Sequence, residues 1–171
     1  MQNHDEFYSH VEAFAASSIK PGALDREQTG EIPHALIKEM GDNGLLAVNV
    51  AEEFGGKGAG VVAYANAVKR VAMADASIAV TMAVTNMVGE VIQQFGTEQQ
   101  KQEYCPKLAS GEFFAGAFAL SEPGSGSDAA SLQTKALRDG DDWVINGQKL
   151  WITSGTRAGV FVVWARTSGS G

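Results

Sequence analysis

Along the first 111 positions, apolar residues recur with a helical period. Phe7, Val11, Phe14 and Ala15 share one face of a first helix, which Pro21-Gly22 is expected to end. Pro33 suits the first turn of a second helix, where its missing N–H costs nothing. Leu36, Ile37 and Met40 form that helix's buried stripe, and Gly41 or Gly44 supplies the left-handed stop. Positions 52–60 hold too many glycines for regular structure and read as a loop. Two further helices are expected over 61–73 and 77–94. The second is apolar nearly all round, through Ile78, Val80, Met82, Val84, Val88, Val91 and Ile92, which marks a helix buried between neighbours. Thr97 and Gln100 spell a capping box that starts a last helix, running to about Ala109.

From Phe113 the period changes to two. Phe114 to Leu120 is a short apolar run flanked by Gly and Pro, expected to be a buried strand. Gln133 to Arg138, Asp139-Gly140 and Trp143-Val144-Ile145 read as a hairpin. After a turn at Asn146-Gly147, 148–153 is expected to resume in strand, and 160–165 is a further apolar strand. Residues 167–171 read as a turn. The predicted fold class is α+β: an all-α helical bundle over 1–111, then an incomplete antiparallel β-barrel-like domain over 112–171. Only four or five strands appear, and an open sheet leaves an edge that proteins normally protect. The β part therefore reads as the first portion of a larger, truncated domain.

Composition narrows the function classes. Hydrophobic residues are 44% and charged residues 19%, which is globular rather than disordered. Thirteen Lys and Arg against 20 Asp and Glu give a net charge of -7, which disfavours a nucleic-acid partner. No apolar run reads as a membrane span, so no membrane insertion is expected. The single cysteine, Cys105, excludes an internal disulfide and a cysteine-rich zinc site; it reads as packing. His4, His10 and His34 suggest no metal centre. The acidic start, from Met1 to Glu6, lacks the Lys and Arg of a targeting peptide, so a cytoplasmic, reducing location is expected.

Two segments carry candidate chemistry. In Ser121-Glu122-Pro123-Gly124-Ser125-Gly126-Ser127-Asp128, Gly124, Gly126 and Ala129 formally satisfy G-x-G-x-x-A, but too few residues follow for the crossover helix of a dinucleotide fold. Glycines that let backbone N–H groups approach a phosphate or flavin, with Ser hydroxyls as added donors, suit the segment better; a plain surface turn is the alternative. In Lys149-Leu150-Trp151-Ile152-Thr153-Ser154-Gly155, a strand would point Trp151 and Thr153 to one face. An indole beside a hydroxyl can cover a ring system and bond its edge, although a core tryptophan is the simpler alternative. Glu90, within the apolar helix, is either a perturbed acid or that helix's exposed edge. Glu52-Glu53 and Asp141-Asp142 read as solvated loop and turn charges.

Taken in order, five segments resemble the acyl-CoA dehydrogenase family: 52–56, 95–101, 106–112, 119–128 and 146–155. The resemblance runs from about Phe7 to Arg166. It implies an N-terminal helical domain and the first part of a middle β domain, with the family's C-terminal four-helix domain absent. It also implies FAD-dependent α,β-dehydrogenation of an acyl-CoA thioester, with electrons leaving to an electron-transferring flavoprotein and a homo-oligomer at full length. Carried over by position, Phe118, Ala119, Leu120, Ser121, Gly126 and Ser127 would contact FAD. Trp151 and Ile152 would lie against the isoalloxazine, with Thr153 bonding near N5. Ser127 would also reach the CoA part of the substrate, and Ala79, Val80, Ala83 and Met87 would line the acyl pocket. The family's catalytic glutamate lies in the absent domain, so no catalytic residue is assigned and the chain is expected to be inactive alone. Two other classes stay open: a non-enzymatic helical interaction module, and a flavin monooxygenase or oxidase on the same fold.

Overall fold

The computed structural model describes residues 4–168. Its elements in order are α1 (Asp5–Phe14), α2 (Ala23–Thr29), α3 (His34–Asp42), α4 (Gly60–Ala74), α5 (Ala76–Phe95), α6 (Glu98–Ala109), β1 (Gly116–Ala119), β2 (Lys135–Asp139), β3 (Asp142–Asn146) and β4 (Val160–Val163). The first three residues and the last three, which include part of the turn expected over 167–171, lie outside the described residues.

The first helix does not stop at Pro21. The chain stays helical through a π turn at Ala15–Ile19 and a 3-10 turn at Lys20–Gly22 before entering α2. Pro21 sits in the first turn of that 3-10 segment, where its missing N–H breaks no ladder bond, so it redirects the path instead of ending it. The next stop is Gly30, which closes α2 at φ 71° with its N–H on the Arg26 carbonyl. The capping box on α6 is formed as expected: Thr97 Oγ1 accepts from Gln100 N, and Gln100 Oε1 accepts from Thr97 N.

α5 is the central element. Its start is fixed by Asp75, whose carboxylate accepts from the Ser77 and Ile78 amides and pairs with the Arg26 guanidinium at 2.8 Å. Midway, buried Asn86 donates to the Leu45 carbonyl at 2.8 Å and accepts from Val48 N at 2.6 Å. One amide thereby ties the irregular chain after α3 to the core helix, satisfying backbone groups that no ladder reaches. By length and composition alone the 20 residues of α5 could cross a membrane, so the expectation of no such run needs correcting. Its buried face, however, packs in two protein cores. One core joins it to α1, α3 and α4 through Val11, Ile37, Met40, Val71 and Met82. The other joins Val88 and Ile92 to Leu108 and Cys105, with Phe118, Val160 and Val162 packed on top. The β segment therefore shares a core with α5 and α6.

Among the described residues the strands form two separate pairs, a partial β domain without a closed barrel. β2 and β3 make the expected antiparallel hairpin, from Lys135↔Asn146 to Asp139↔Asp142, turning at Gly140 with φ 62°. β1 and β4 pair in parallel, from Gly116↔Val160 to Ala119↔Val163, which corrects the all-antiparallel expectation. The connection between them, which includes the hairpin, is long enough for the crossover that a parallel pair requires. The strand expected over 148–153 is also absent. Trp151 and Ser154 both have φ 59°, a left-handed conformation that cannot continue a pleated strand.

Candidate functional site

The two motif segments lie against each other at the end of β1. Leu150 N donates to the Ser121 carbonyl at 2.9 Å. Lys149 Nζ donates to the Leu120 carbonyl at 2.9 Å and to Glu122 Oε1 at 2.7 Å. Glu122 also accepts from Gln133 N at 2.5 Å and Thr134 N at 2.9 Å, which ties the start of the hairpin to the same point. These bonds hold the Glu122 carboxyl at a pKa of about 2, well below its usual 4.5. The Lys149 ammonium contributes most, then the Thr134 hydroxyl and the two amides, against the opposing effect of burial. Thr134 Oγ1 makes no bond of full hydrogen-bond geometry, so it acts on the charge from nearby.

The Gly-Ser loop is a tight turn. Glu122 N and Ser125 N each donate to the other residue's carbonyl, and Ser125 Oγ donates to the Asp128 carbonyl at 2.7 Å. Ser125 is buried; Gly126 and Ser127 face solvent. Arg166 fastens the far side of the loop, with Nε on the Leu132 carbonyl at 2.7 Å and Nη2 on the Ala130 carbonyl.

Three local features fit a flavin. A side chain at Gly124 or Gly126 would meet nothing within 4 Å, so the loop backbone is open to close approach. Among the described residues, the hydroxyls of Ser121, Ser127 and Thr153 and the amides of Gly126 and Ser127 bond to no protein acceptor, leaving donors free. Trp151 is 91% exposed, which excludes the core-tryptophan alternative and leaves a bare aromatic face. Thr153 does not share a strand face with Trp151, because the backbone between them is turned; it stands half-buried in the turn that follows.

The remaining predicted residues divide. Phe118 packs against Trp164, with ring centroids 5.9 Å apart, and Ala119 is buried; Leu120 takes part through its carbonyl. Val80 is half exposed, Ala83 and Met87 are partly buried, and Val80, Ala83 and Met87 recur at helical spacing along α5. Ala79 is 4% exposed and belongs to the first core, turned away from that face. Among the described residues, no hydrogen bond joins these four to the loop. Glu122 and Lys149 were given no role from sequence. Their signal was present: Lys149 is the only charge in 146–155, and Glu122 is one of two in 119–128. Cys105 is packed in the second core as expected, its thiol pushed up by burial.

Comparison with known proteins agrees with this geometry. The family model for the acyl-CoA dehydrogenase N-terminal domain matches residues 1–112, and that for the middle domain matches 117–171. An acyl-CoA dehydrogenase of Bacillus subtilis (strain 168) is 43% identical over 159 residues, covering 92% of this chain and 42% of the relative. The glutaryl-CoA dehydrogenase of Mycobacterium smegmatis in complex with FADH2 superimposes with a TM-score of 0.92 at 34% identity, covering 98% of this chain and 43% of that one. A chain in the structure of the electron transferring flavoprotein of Acidaminococcus fermentans gives a TM-score of 0.91 at 33% identity, with 98% and 44% covered. The chain thus spans less than half the length of the proteins it matches. In sequence and in fold it belongs to the acyl-CoA dehydrogenase family, across that family's N-terminal and middle domains.

Proposed function

We propose that the chain supplies the helical and flavin-facing parts of an FAD-dependent enzyme that dehydrogenates an acyl-CoA thioester between its α and β carbons. The observation that carries this reading is the bonding of Lys149 and Leu150 to Leu120, Ser121 and Glu122, which sets a Gly-Ser loop with free donors beside a bare indole. Bound FAD would supply the hydride acceptor. The chain's own residues would position it. Trp151 offers a flat apolar face, while Thr153 and Ser121 offer hydroxyls at the ring edge, where they favour added negative charge. Gly126 and Ser127 would offer backbone amides to phosphate, and the Ser127 hydroxyl would reach the CoA portion of a substrate. Val80, Ala83 and Met87 would present the apolar wall of α5 to the acyl chain, with Ala79 supporting it from the core.

The proton at the α carbon needs a base, and no Glu in residues 1–171 matches the family's base by motif. We therefore expect the 171-residue chain to hold FAD too weakly to survive gel filtration and to show no turnover. An electron-transferring flavoprotein is the proposed acceptor of the complete enzyme. The test is an assay of the purified chain with added FAD, a panel of acyl-CoAs and a dye acceptor. Dye reduction at an ordinary enzymatic rate would overturn the assignment of the base outside these residues.

A further inference from the structure

Glu122 and Lys149 form an ion pair whose side chains are only 5% and 11% exposed. Such a pair is a poor device for stability alone, since apolar residues of similar volume often do as well. What apolar residues cannot do is bind backbone carbonyls and amides in fixed directions. Here the pair does so at three backbone points, the Leu120 carbonyl, the Gln133 amide and the Thr134 amide, while Lys149 Nζ also donates to Glu122 Oε1. Glu122 adjoins Ser121 in sequence, and Lys149 precedes Trp151 by two residues.

Trp151 needs such support. Its left-handed backbone is unfavourable for a bulky residue and persists only where the surroundings over-determine it. Downstream, Gly155 N bonds the Ile152 carbonyl at 3.0 Å, and the Arg157 and Ala158 amides bond the Ser154 carbonyl at 2.9 and 2.8 Å. Upstream, the anchors are the Lys149 ammonium and the Leu150 amide. We propose that Lys149 is a positioning residue: through the Leu120 carbonyl and the Glu122 carboxylate it locks the Gly-Ser loop to the Trp151 turn and holds the indole outward at the flavin-facing surface. The proposal rests on the flavin reading above for what that surface receives.

The test uses the 15N-labelled 171-residue chain, with lumiflavin, the tricyclic ring alone, as the probe. Lys149→Met should speed exchange of the Leu150 amide by about tenfold or more, the loss expected of a charged hydrogen bond, with α5 amides unchanged. Lumiflavin should shift the Trp151 indole and Thr153 amide resonances in the parent chain, fail to shift them in Lys149→Met, and shift them again, at least in part, in Lys149→Arg. Should Lys149→Met lose α5 protection, and so unfold as a whole, Glu122→Gln tests the carboxylate arm alone. It keeps the Lys149–Leu120 bond, so Leu150 exchange should quicken by less and the lumiflavin shifts should weaken. Parent-like values of both would overturn the positioning role. Parent-like Leu150 exchange and parent-like lumiflavin shifts in Lys149→Met would overturn the positioning role and leave the flavin reading intact. No lumiflavin shift in the parent chain, with Leu150 still freed by Lys149→Met, would overturn the flavin reading and the positioning role built on it.

Discussion

Trp151 shows how one backbone angle decides a side chain's part in the molecule. In a strand it would alternate into or out of a sheet; at φ 59° it stands almost fully clear of the protein. Glycine pays no steric cost in that region, so Trp151→Gly should raise stability by about 1 kcal/mol while abolishing any lumiflavin response. Urea melts read beside a lumiflavin titration check both halves; a variant that loses stability would show that the indole packs in a way its exposure denies. Glu122 sets a pH limit at the same scale. Its folded pKa of about 2 lies below the usual 4.5, so its contribution is complete above about 4.5 and is lost as pH falls toward 2. The parent's urea midpoint should drop across that window. Glu122→Gln should start lower at neutral pH and stay flatter as acid is added.

Among the elements, the helices were the most legible. The stripe at Leu36, Ile37 and Met40, the all-round apolar pattern of α5 and the Thr97/Gln100 box each encode their own local structure, because helical contacts lie three and four residues apart. The hairpin was legible for the same reason, through Asp139-Gly140. The segment 148–153 was not: its apolar run Leu150-Trp151-Ile152 suits a strand, and bonds to residues 120–122, far off in sequence, help to hold it in another conformation. The pairing behind the α5 cap was likewise hidden, since Arg26 lies 49 residues before Asp75 in sequence. Burial pushes the Asp75 carboxyl up, but bonds from Ser77, Arg26 and the Ile78 amide outweigh it and hold the group below its usual value. Asp75→Ala removes the cap and strands a buried guanidinium, which should cost about 3–5 kcal/mol in a denaturant melt. Asp75→Asn, which still accepts from the helix amides, should cost less.

At the scale of the whole molecule, the change of period near Phe113 marks a change of element and not a break in packing. Gly116 shows why: a Cβ there would come within 2.7 Å of Val88, so β1 lies directly on α5. Arg157 adds a second tie, stacking 3.6 Å from the Phe114 ring centroid and donating to the Ile32 carbonyl at 2.6 Å. The turn that bears Trp151 and Thr153 is therefore braced through Arg157 by Phe114 and the α2–α3 connection, as well as by the loop through Lys149. Composition and motifs located the two halves of the candidate site. Their meeting depends on pairings between distant residues, which no local pattern records.

The parallel pairing of β1 with β4 has a consequence for biosynthesis. Gly116 is translated well before its ladder partner Val160, whereas the helices and the β2–β3 ribbon find their ladder contacts nearby in the nascent chain. Strand β1 must therefore wait, resting on α5, with one side unzipped until β4 emerges. The surface that displays the indole is completed only once β4 has emerged, on a scaffold already set.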